Sequence, residues 1–336
     1  MIDKRFSKSR CLAGVDGCNV EYILGLTGME NLYLPPEELK NKAGNTIASI
    51  ECIGGKIKAY VNVVHTIRRD NVEPFSIWDA AEMEPVRIQI IEFMKEYLQK
   101  NLEDRYSDDL IQNMRVKALE CNLTLPTAGK ATPSDVIALL DLALDKTVVF
   151  RRRKPQSAYE KMNTSCLYSK PREFCLKVYS KTEEQHEKGN PLVEKNLLRI
   201  EIKFIDRALR RMFWEKRSLL DVLSAQGIET TCRQYKRVLE KDIINKSIKP
   251  CLAYCVRTLL ESMETSDTGR EISEAVTRHK ELIVDMEVLR RASKRWYDRR
   301  GEKDKSKQIV CYYRKKQFGL PDDVLKTIRA FHEAAG

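Results

Sequence analysis

The pattern of apolar and polar positions divides the chain into a strand-rich part and a helical part. Apolar residues alternate with polar ones, as in half-buried strands, at several places in the first two hundred residues. The predicted strands are 56–64, 114–125, 147–153, 163–169, 173–181 and 196–204. Helical periodicity predicts one helix over 84–98 and another that begins at Thr132–Pro133. After Asp206 the pattern is almost wholly helical.

The order of these elements predicts the fold class. Strands that alternate with helices and then follow one another directly suit an α+β fold, in which helices pack on an antiparallel sheet. A mostly helical C-terminal region follows. We divide the chain into an unassigned N-terminal segment (1–55), an α+β domain (56–205) and a basic helical region (206–336). Within the first segment, Pro35–Pro36 and Gly44 predict loops.

Charge and cysteine content bear on partners and compartment. The 336 residues include 60 Lys and Arg against 49 Asp and Glu, a formal net charge of +11. This balance favours a polyanionic partner. The ten cysteines form no CxxC pair and no zinc-ligand spacing. The first residues do not resemble a signal peptide, and no apolar run suits a bilayer span. We therefore expect a cytoplasmic protein with reduced thiols and no membrane partner.

Cations are concentrated between Arg290 and Lys316, where twelve Lys and Arg residues face three acidic ones. Aromatic residues lie among them, and this mixture suits phosphate contact combined with base stacking. The alternative is a solvated helix and loop with a few core aromatics. The residues that we expect to bind DNA are Arg295, Trp296, Arg299, Arg300, Lys315 and Lys316.

Motifs of the common enzyme classes are missing from the sequence. Four histidines form no HxH or HExxH, and there is no GxSxG and no phosphate-binding P-loop, so ATP hydrolysis has no sequence support. What remains is a set of polar residues that alternate with apolar ones in two predicted strands. The same pattern is typical of the solvent face of an antiparallel sheet. These residues are Glu120, Asn122, Thr124, Arg199, Glu201 and Lys203.

A phenol, a cation and an anion follow one another at the end of the strand predicted over 173–181. Tyr179, Lys181 and Glu184 form a Y-x-K-x-x-E element. A phenol has a reference pKa of about 10, so it attacks near neutral pH only if its phenolate is stabilised. Lys181 is a candidate for that role, and its alternative is an exposed solubilising lysine. Glu184 is either a metal ligand or the ion-pair partner of Lys181.

Together these elements resemble a signature of the Rep_trans-type rolling-circle plasmid replication initiators, which are related to the HUH nicking proteins but lack the His pair. That family has a strand ending in Ile-Tyr-Asn-Lys-x-x-Glu and, further along, a strand with Arg-x-Glu. Here the two elements are 178–184 and 199–201. Glu120 matches an upstream acidic position where the family usually has Asp. The family's glycine before the tyrosine strand is missing from NTSCLYSK. The resemblance covers about residues 56–210.

The resemblance implies an enzyme that nicks one strand of a replication origin by tyrosine transesterification. Tyr179 would become linked to the 5′ phosphate and release a 3′ hydroxyl. A divalent metal, Mg²⁺ or Mn²⁺, would be bound by Glu120, Glu201 and Glu184, since hard cations prefer carboxylate oxygens. The implied partners are origin DNA, double-stranded where it is recognised and single-stranded where it is nicked, a host helicase and polymerase, and a second copy in a homodimer.

Two other functions fit the same residues. A relaxase of a conjugative element performs the same transesterification, and a non-catalytic DNA-binding replication factor would keep Tyr179 as a structural residue. Filamentous-phage nicking proteins are distantly similar and place their tyrosines elsewhere, so Tyr235 and Tyr297 are the alternative nucleophiles. A requirement for divalent metal separates either nickase from the DNA-binding factor.

Overall fold

The structure is a computed structural model, and it describes residues 13–23, 31–40, 44–62, 80–145, 166–169, 173–189, 196–214, 217–262, 274, 286–301, 303–317 and 320–334. The strands within these ranges are β1 (Ala13–Ile23), β2 (Tyr33–Lys40), β3 (Thr46–Ile53), β4 (Lys56–Asn62), β5 (Arg115–Pro126), β6 (Cys166–Ser169), β7 (Phe174–Ser180) and β8 (Leu197–Ile205).

These strands form one sheet in the order β2-β3-β4-β1-β5-β8-β7-β6. Every neighbouring pair is antiparallel. The predicted α+β class, with an antiparallel sheet, packed helices and a helical C-terminal part, is therefore confirmed. The strand predicted over 147–153 lies outside the described residues.

Helices lie between the later strands and make up the C-terminal part. They are α1 (Ala80–Leu102), α2 (Asp109–Asn113), α3 (Pro133–Asp145), α4 (Lys181–Glu187), α5 (Asp206–Phe213), α6 (Leu219–Val222), α7 (Ala225–Arg237), α8 (Lys249–Ser262), α9 (Met286–Arg300), α10 (Ser306–Gln317) and α11 (Leu320–Ala334). A π-helical stretch, Val238–Ile248, joins α7 to α8. None of the helices in the described part of the chain is both long and apolar enough to cross a membrane.

The segment before residue 56, which the sequence left unassigned, supplies three strands to the same sheet. The expected loop at Pro35–Pro36 is wrong, because both residues lie in β2. β2 is an edge strand, and its register shifts between Leu34 and Glu37. Edges and bulges are the places where a sheet tolerates proline, because no ladder hydrogen bond needs the missing N–H. Gly44 lies outside the strands, as predicted.

Alternation gives the sheet one apolar and one polar face. In β5 the side chains of Leu119, Cys121 and Leu123 are fully buried, and Ile202 and Phe204 in β8 are as well. These residues form one core with apolar helix residues. The opposite face presents the polar residues singled out in the sequence. The sheet therefore hides one face beneath helices and uses the other for polar groups.

Candidate active site and nucleic-acid interface

Strand register brings the predicted polar residues together on one face of β5, β8 and β7. Directly paired residues of antiparallel strands share a face. Tyr179 lies opposite Arg199, which lies opposite Thr124 on its other side. The next two rows across β7, β8 and β5 are Lys177–Glu201–Asn122 and Cys175–Lys203–Glu120. Residues far apart in sequence thus form a compact polar cluster.

Tyr179 is held between an acidic and a basic side chain. Its hydroxyl donates to Glu201 Oε2 at 3.4 Å. Lys177 Nζ lies 4.8 Å from the centroid of its ring, a cation–π contact. The tyrosine is only 3% exposed. The phenol therefore has a fixed orientation within the cluster, and a substrate must displace a neighbouring side chain to reach it.

Lys181 and Glu184 form a buried ion pair at the start of α4. The helix begins where it does because Ser180 caps it, accepting a hydrogen bond from the Glu183 backbone N–H at 3.2 Å. One turn of helix then brings Lys181 Nζ to 2.5 Å from Glu184 Oε2. Lys188 Nζ lies 2.6 Å from the other carboxylate oxygen, Oε1.

Burial and neighbouring charges shift the pKa of both groups. Burial, together with the positive charge of Arg199, lowers the pKa of Lys181 to about 8, although Glu184 acts in the opposite direction. Burial alone would raise the pKa of Glu184. The hydrogen bonds and charges of Lys181 and Lys188 outweigh that effect and lower its pKa to about 2. At neutral pH the carboxylate is therefore charged.

Arg199 is a member of the cluster that the sequence did not single out as a site residue. It is 2% exposed, and its Nε donates to Thr124 Oγ1 at 2.7 Å. Alternation placed it on the polar face of its strand, where solvent exposure was the expectation. Only the register shows that this position lies opposite Tyr179. The sequence signal that could have found it was the Arg-x-Glu element, in which Arg199 stands two residues before Glu201.

The three predicted metal ligands are not equivalent. Both oxygens of Glu184 are held by lysines, so it does not suit a metal ion. Glu120 Oε1 lies 2.5 Å from Lys203 Nζ. Glu120 and Glu201 are diagonal neighbours on the polar face, with Asn122 directly opposite Glu201. The described residues contain no group of three His, Cys, Asp or Glu side chains that could hold a metal.

The donor chemistry of Glu120 and Glu201 nevertheless fits Mg²⁺ or Mn²⁺. Mg²⁺ often binds through one or two carboxylates and keeps its other positions for water and substrate phosphate. Glu120 and Glu201 on neighbouring strands supply the two carboxylates that such a site needs. Metal binding here stays a prediction, and it rests on this pair alone.

The two alternative tyrosines lie in the protein core. Tyr235 in α7 is fully buried, and its hydroxyl donates to the backbone oxygen of Ile200 at 2.9 Å. Tyr297 in α9 is 2% exposed and packs edge-on against Trp296, with ring centroids 4.9 Å apart. Both rings pack within apolar surroundings, so neither is placed beside the cluster of carboxylates and cations that surrounds Tyr179.

The predicted DNA-binding residues lie on an amphipathic helix. In α9 the buried positions Met286, Leu289, Ser293 and Tyr297 recur at helical spacing. Arg295, Arg299 and Arg300 are exposed, and the Arg300 guanidinium lies 4.7 Å from the centroid of the half-buried Trp296 ring. Lys315 and Lys316 belong to α10, but their side chains lie outside the described part.

Comparisons with known proteins assign neither a family nor an activity to this chain. No family model matches the chain, and no curated protein does either. Among solved structures, a rolling circle replication initiator protein from Geobacillus stearothermophilus matches with 12% sequence identity and a TM-score of 0.31. The match covers 68% of this chain and 83% of that one. Similarity this low transfers neither residues nor activity.

Proposed function

We propose that this protein is a rolling-circle replication initiator that nicks one strand of origin DNA by transesterification at Tyr179. The observation that carries the proposal is the setting of this tyrosine. Its hydroxyl contacts Glu201, and it lies directly opposite the buried cation of Arg199. A phenol held beside both a carboxylate and a cation on the polar face of a sheet suits attack on a phosphodiester.

The reaction uses these groups in distinct ways. The phenol gives up its proton to solvent, its oxygen forms a bond to phosphorus, and the bond from phosphorus to the 3′ oxygen breaks. The 3′ oxygen leaves with the bonding electron pair and takes a proton from solvent. Arg199 and Lys181 stabilise the negative charge of the phenolate and phosphate from fixed positions. Glu120 and Glu201 would hold Mg²⁺ or Mn²⁺, which neutralises phosphate charge when bound.

Recognition of double-stranded origin DNA is assigned to the exposed side of α9. Arg295, Arg299 and Arg300 supply phosphate contacts, and Trp296 supports Arg300. Lys315 and Lys316 extend the same basic segment in sequence. A host helicase, a polymerase that extends the free 3′ hydroxyl and a second copy of the chain are the partners that this cycle would require in the cytoplasm.

One observation favours the non-catalytic alternative. Tyr179 is only 3% exposed, as a purely structural residue would be. A DNA-binding replication factor without nicking activity is therefore the second candidate. A relaxase would share the chemistry and differ only in its DNA target.

The decisive experiment is to incubate the protein with supercoiled DNA that carries its own gene and flanks, with Mn²⁺ or with EDTA. The measurement is open-circle DNA together with a protein–DNA adduct that survives denaturant. We expect both products in Mn²⁺ only. A nick on DNA from beside its own gene favours the initiator, whereas a nick confined to a transfer origin favours the relaxase.

Tyr179→Phe removes only the nucleophilic oxygen. We expect it to abolish the nick and the adduct while duplex binding stays close to that of the wild type. The matched control is Tyr33→Phe, on the edge strand β2, where the side chain is 64% exposed. An adduct that persists in Tyr179→Phe would refute this tyrosine as the nucleophile. DNA binding without any nick in the wild type would establish the non-catalytic factor.

A further inference from the structure

Trp214 combines an exposed ring with an unusual backbone. It directly follows α5, and its side chain is 81% exposed. Its φ of 51° and ψ of −127° belong to a region that glycine usually occupies. Its N–H still closes the helix by donating to the Arg210 oxygen at 2.8 Å. A large apolar residue at such a position indicates a role other than packing, since strain persists at sites that serve a function.

Exposed cations lie on α5, the helix that Trp214 directly follows. The side chains of Arg207, Arg210 and Arg211 on α5 are 68%, 63% and 58% exposed. Two carboxylates lie among them: Glu173 contacts Arg207 and Arg211, and Asp206 contacts Arg210. Asp206 is shared further with Arg217 and Lys117. Among the described residues, five cations thus contact two carboxylates. We define the Trp214 surface as Lys117, Arg207, Arg210, Arg211, Trp214 and Arg217.

We propose that the Trp214 surface binds single-stranded nucleic acid, with the indole ring stacked on a base and the arginines in contact with backbone phosphates. An exposed aromatic ring within a positive surface is the arrangement that single-strand binding proteins use. The excess of cations favours a polyanion over a protein partner. An unpaired strand is favoured over a duplex, because its bases are free to stack on a side chain.

The position of this surface relates it to Tyr179. Glu173 immediately precedes β7, and Asp206 immediately follows β8. Tyr179 lies at the other end of β7, about 20 Å away at the rise of an extended strand. Lys177 and Lys203 lie on the polar face between the two ends. The Trp214 surface and Tyr179 therefore lie near opposite ends of the same two paired strands.

The inference goes beyond the proposed function and does not depend on nicking. Binding is measured in EDTA by fluorescence anisotropy with labelled oligo(dT) and oligo(rU) of about 20 nucleotides, longer than the site of one single-strand binding domain. A duplex of the same length is the third probe. The variants are Trp214→Gly, which removes the ring and suits the backbone, and Trp214→Phe, which keeps an aromatic ring. Thermal melting establishes that both variants are folded.

We expect Trp214→Gly to weaken oligo(dT) binding about tenfold, which is typical for loss of one stacked base, and to leave duplex binding unchanged. Trp214→Phe should retain most of the affinity. An equal loss of affinity for oligo(rU) would show that the surface binds single-stranded DNA and RNA alike. A loss of affinity confined to oligo(dT) would show that it binds DNA. Unchanged oligo(dT) binding in a folded Trp214→Gly protein would refute the proposal. So would an equal loss on the duplex, or a change in self-association alone.

Discussion

The charges near Tyr179 and the charges on α9 differ in their exposure to water. Lys181 and Arg199 are 1% and 2% exposed, and both have partners in the fold. Arg299 and Arg300 on α9 are exposed to solvent. A buried charge loses its hydration and needs a partner of good geometry, whereas an exposed charge keeps its water and acts over a distance that salt screens.

Under the proposed function, this difference suits the two regions to different roles. The buried cluster fixes the positions of a few groups, which suits chemistry at one atom. The exposed helix presents positive charge without fixing it, which suits binding to a polyanion. The contrast would fail if substitutions in the buried cluster changed mainly DNA affinity, or if substitutions on α9 changed mainly stability.

The largest expected effect concerns Glu184. Glu184→Gln removes the negative charge beside Lys181 and leaves that buried cation near Arg199. We expect the free energy of unfolding to fall by about 3 kcal/mol, as for other broken buried ion pairs. Urea denaturation measures the change. The matched control is Glu229→Gln, whose ion pair with Arg233 is exposed on α7 and should cost less than about 1 kcal/mol.

A double variant and a pH series separate this cause from general damage. Lys181→Met combined with Glu184→Gln removes both charges, so it should recover much of the lost stability. The pKa of Glu184 is lowered from 4.5 to about 2 in the folded protein. The wild type should therefore lose stability as the pH falls through this window, and Glu184→Gln should lack that contribution. Equal effects of Glu184→Gln and Glu229→Gln would contradict the contrast between buried and exposed charges.

The second effect concerns DNA affinity. Replacing both Arg299 and Arg300 by Gln should lower duplex affinity and reduce the slope of log affinity against log salt by about 2, one for each lost phosphate contact. Cleavage of saturated substrate should not change. The matched control replaces Arg290 and Arg291 on the same helix, where Glu287 already pairs with both. If the slope of log affinity against log salt were equal in both double variants, Arg299 and Arg300 would contribute no more to DNA binding than Arg290 and Arg291.

Much of the sheet was predictable because its strands alternate cleanly. The predictions over 114–125 and 196–204 match β5 and β8 within about one residue. β1 was not predicted from the sequence, because it contains glycine, which is a poor strand former. Gly17 is nevertheless required there, since a Cβ atom would lie 2.7 Å from the Val61 oxygen. β1 thus contains a residue that disfavours strands by itself. Only the close contact with the neighbouring strand explains why glycine is present at this position.

The sequence singled out Tyr179, Lys181, Glu184, Glu120 and Glu201 as site residues, but it gave neither their arrangement nor the place of Arg199 among them. The Y-x-K-x-x-E spacing places Lys181 and Glu184 one helical turn apart, and the structure pairs them. The sequence could not tell that Glu184 faces two lysines, because Lys188 completes the contact from beyond α4. It also gave no sign of Trp214, which is distinguished by its backbone angles and its solvent exposure. Both properties depend on tertiary structure.

The smallest effect tests whether the start of α4 positions the site. Ser180 caps α4 between Tyr179 and Lys181, and Ser224 caps α7 by accepting from the Gly227 N–H at 3.1 Å. Replacing either serine by alanine should cost about 1 kcal/mol of stability. Only Ser180→Ala should also slow nicking, because it loosens the turn that carries Lys181. Thermal melting and single-turnover nicking measure the two effects, and equal nicking rates in the two variants would show that the cap acts on stability alone.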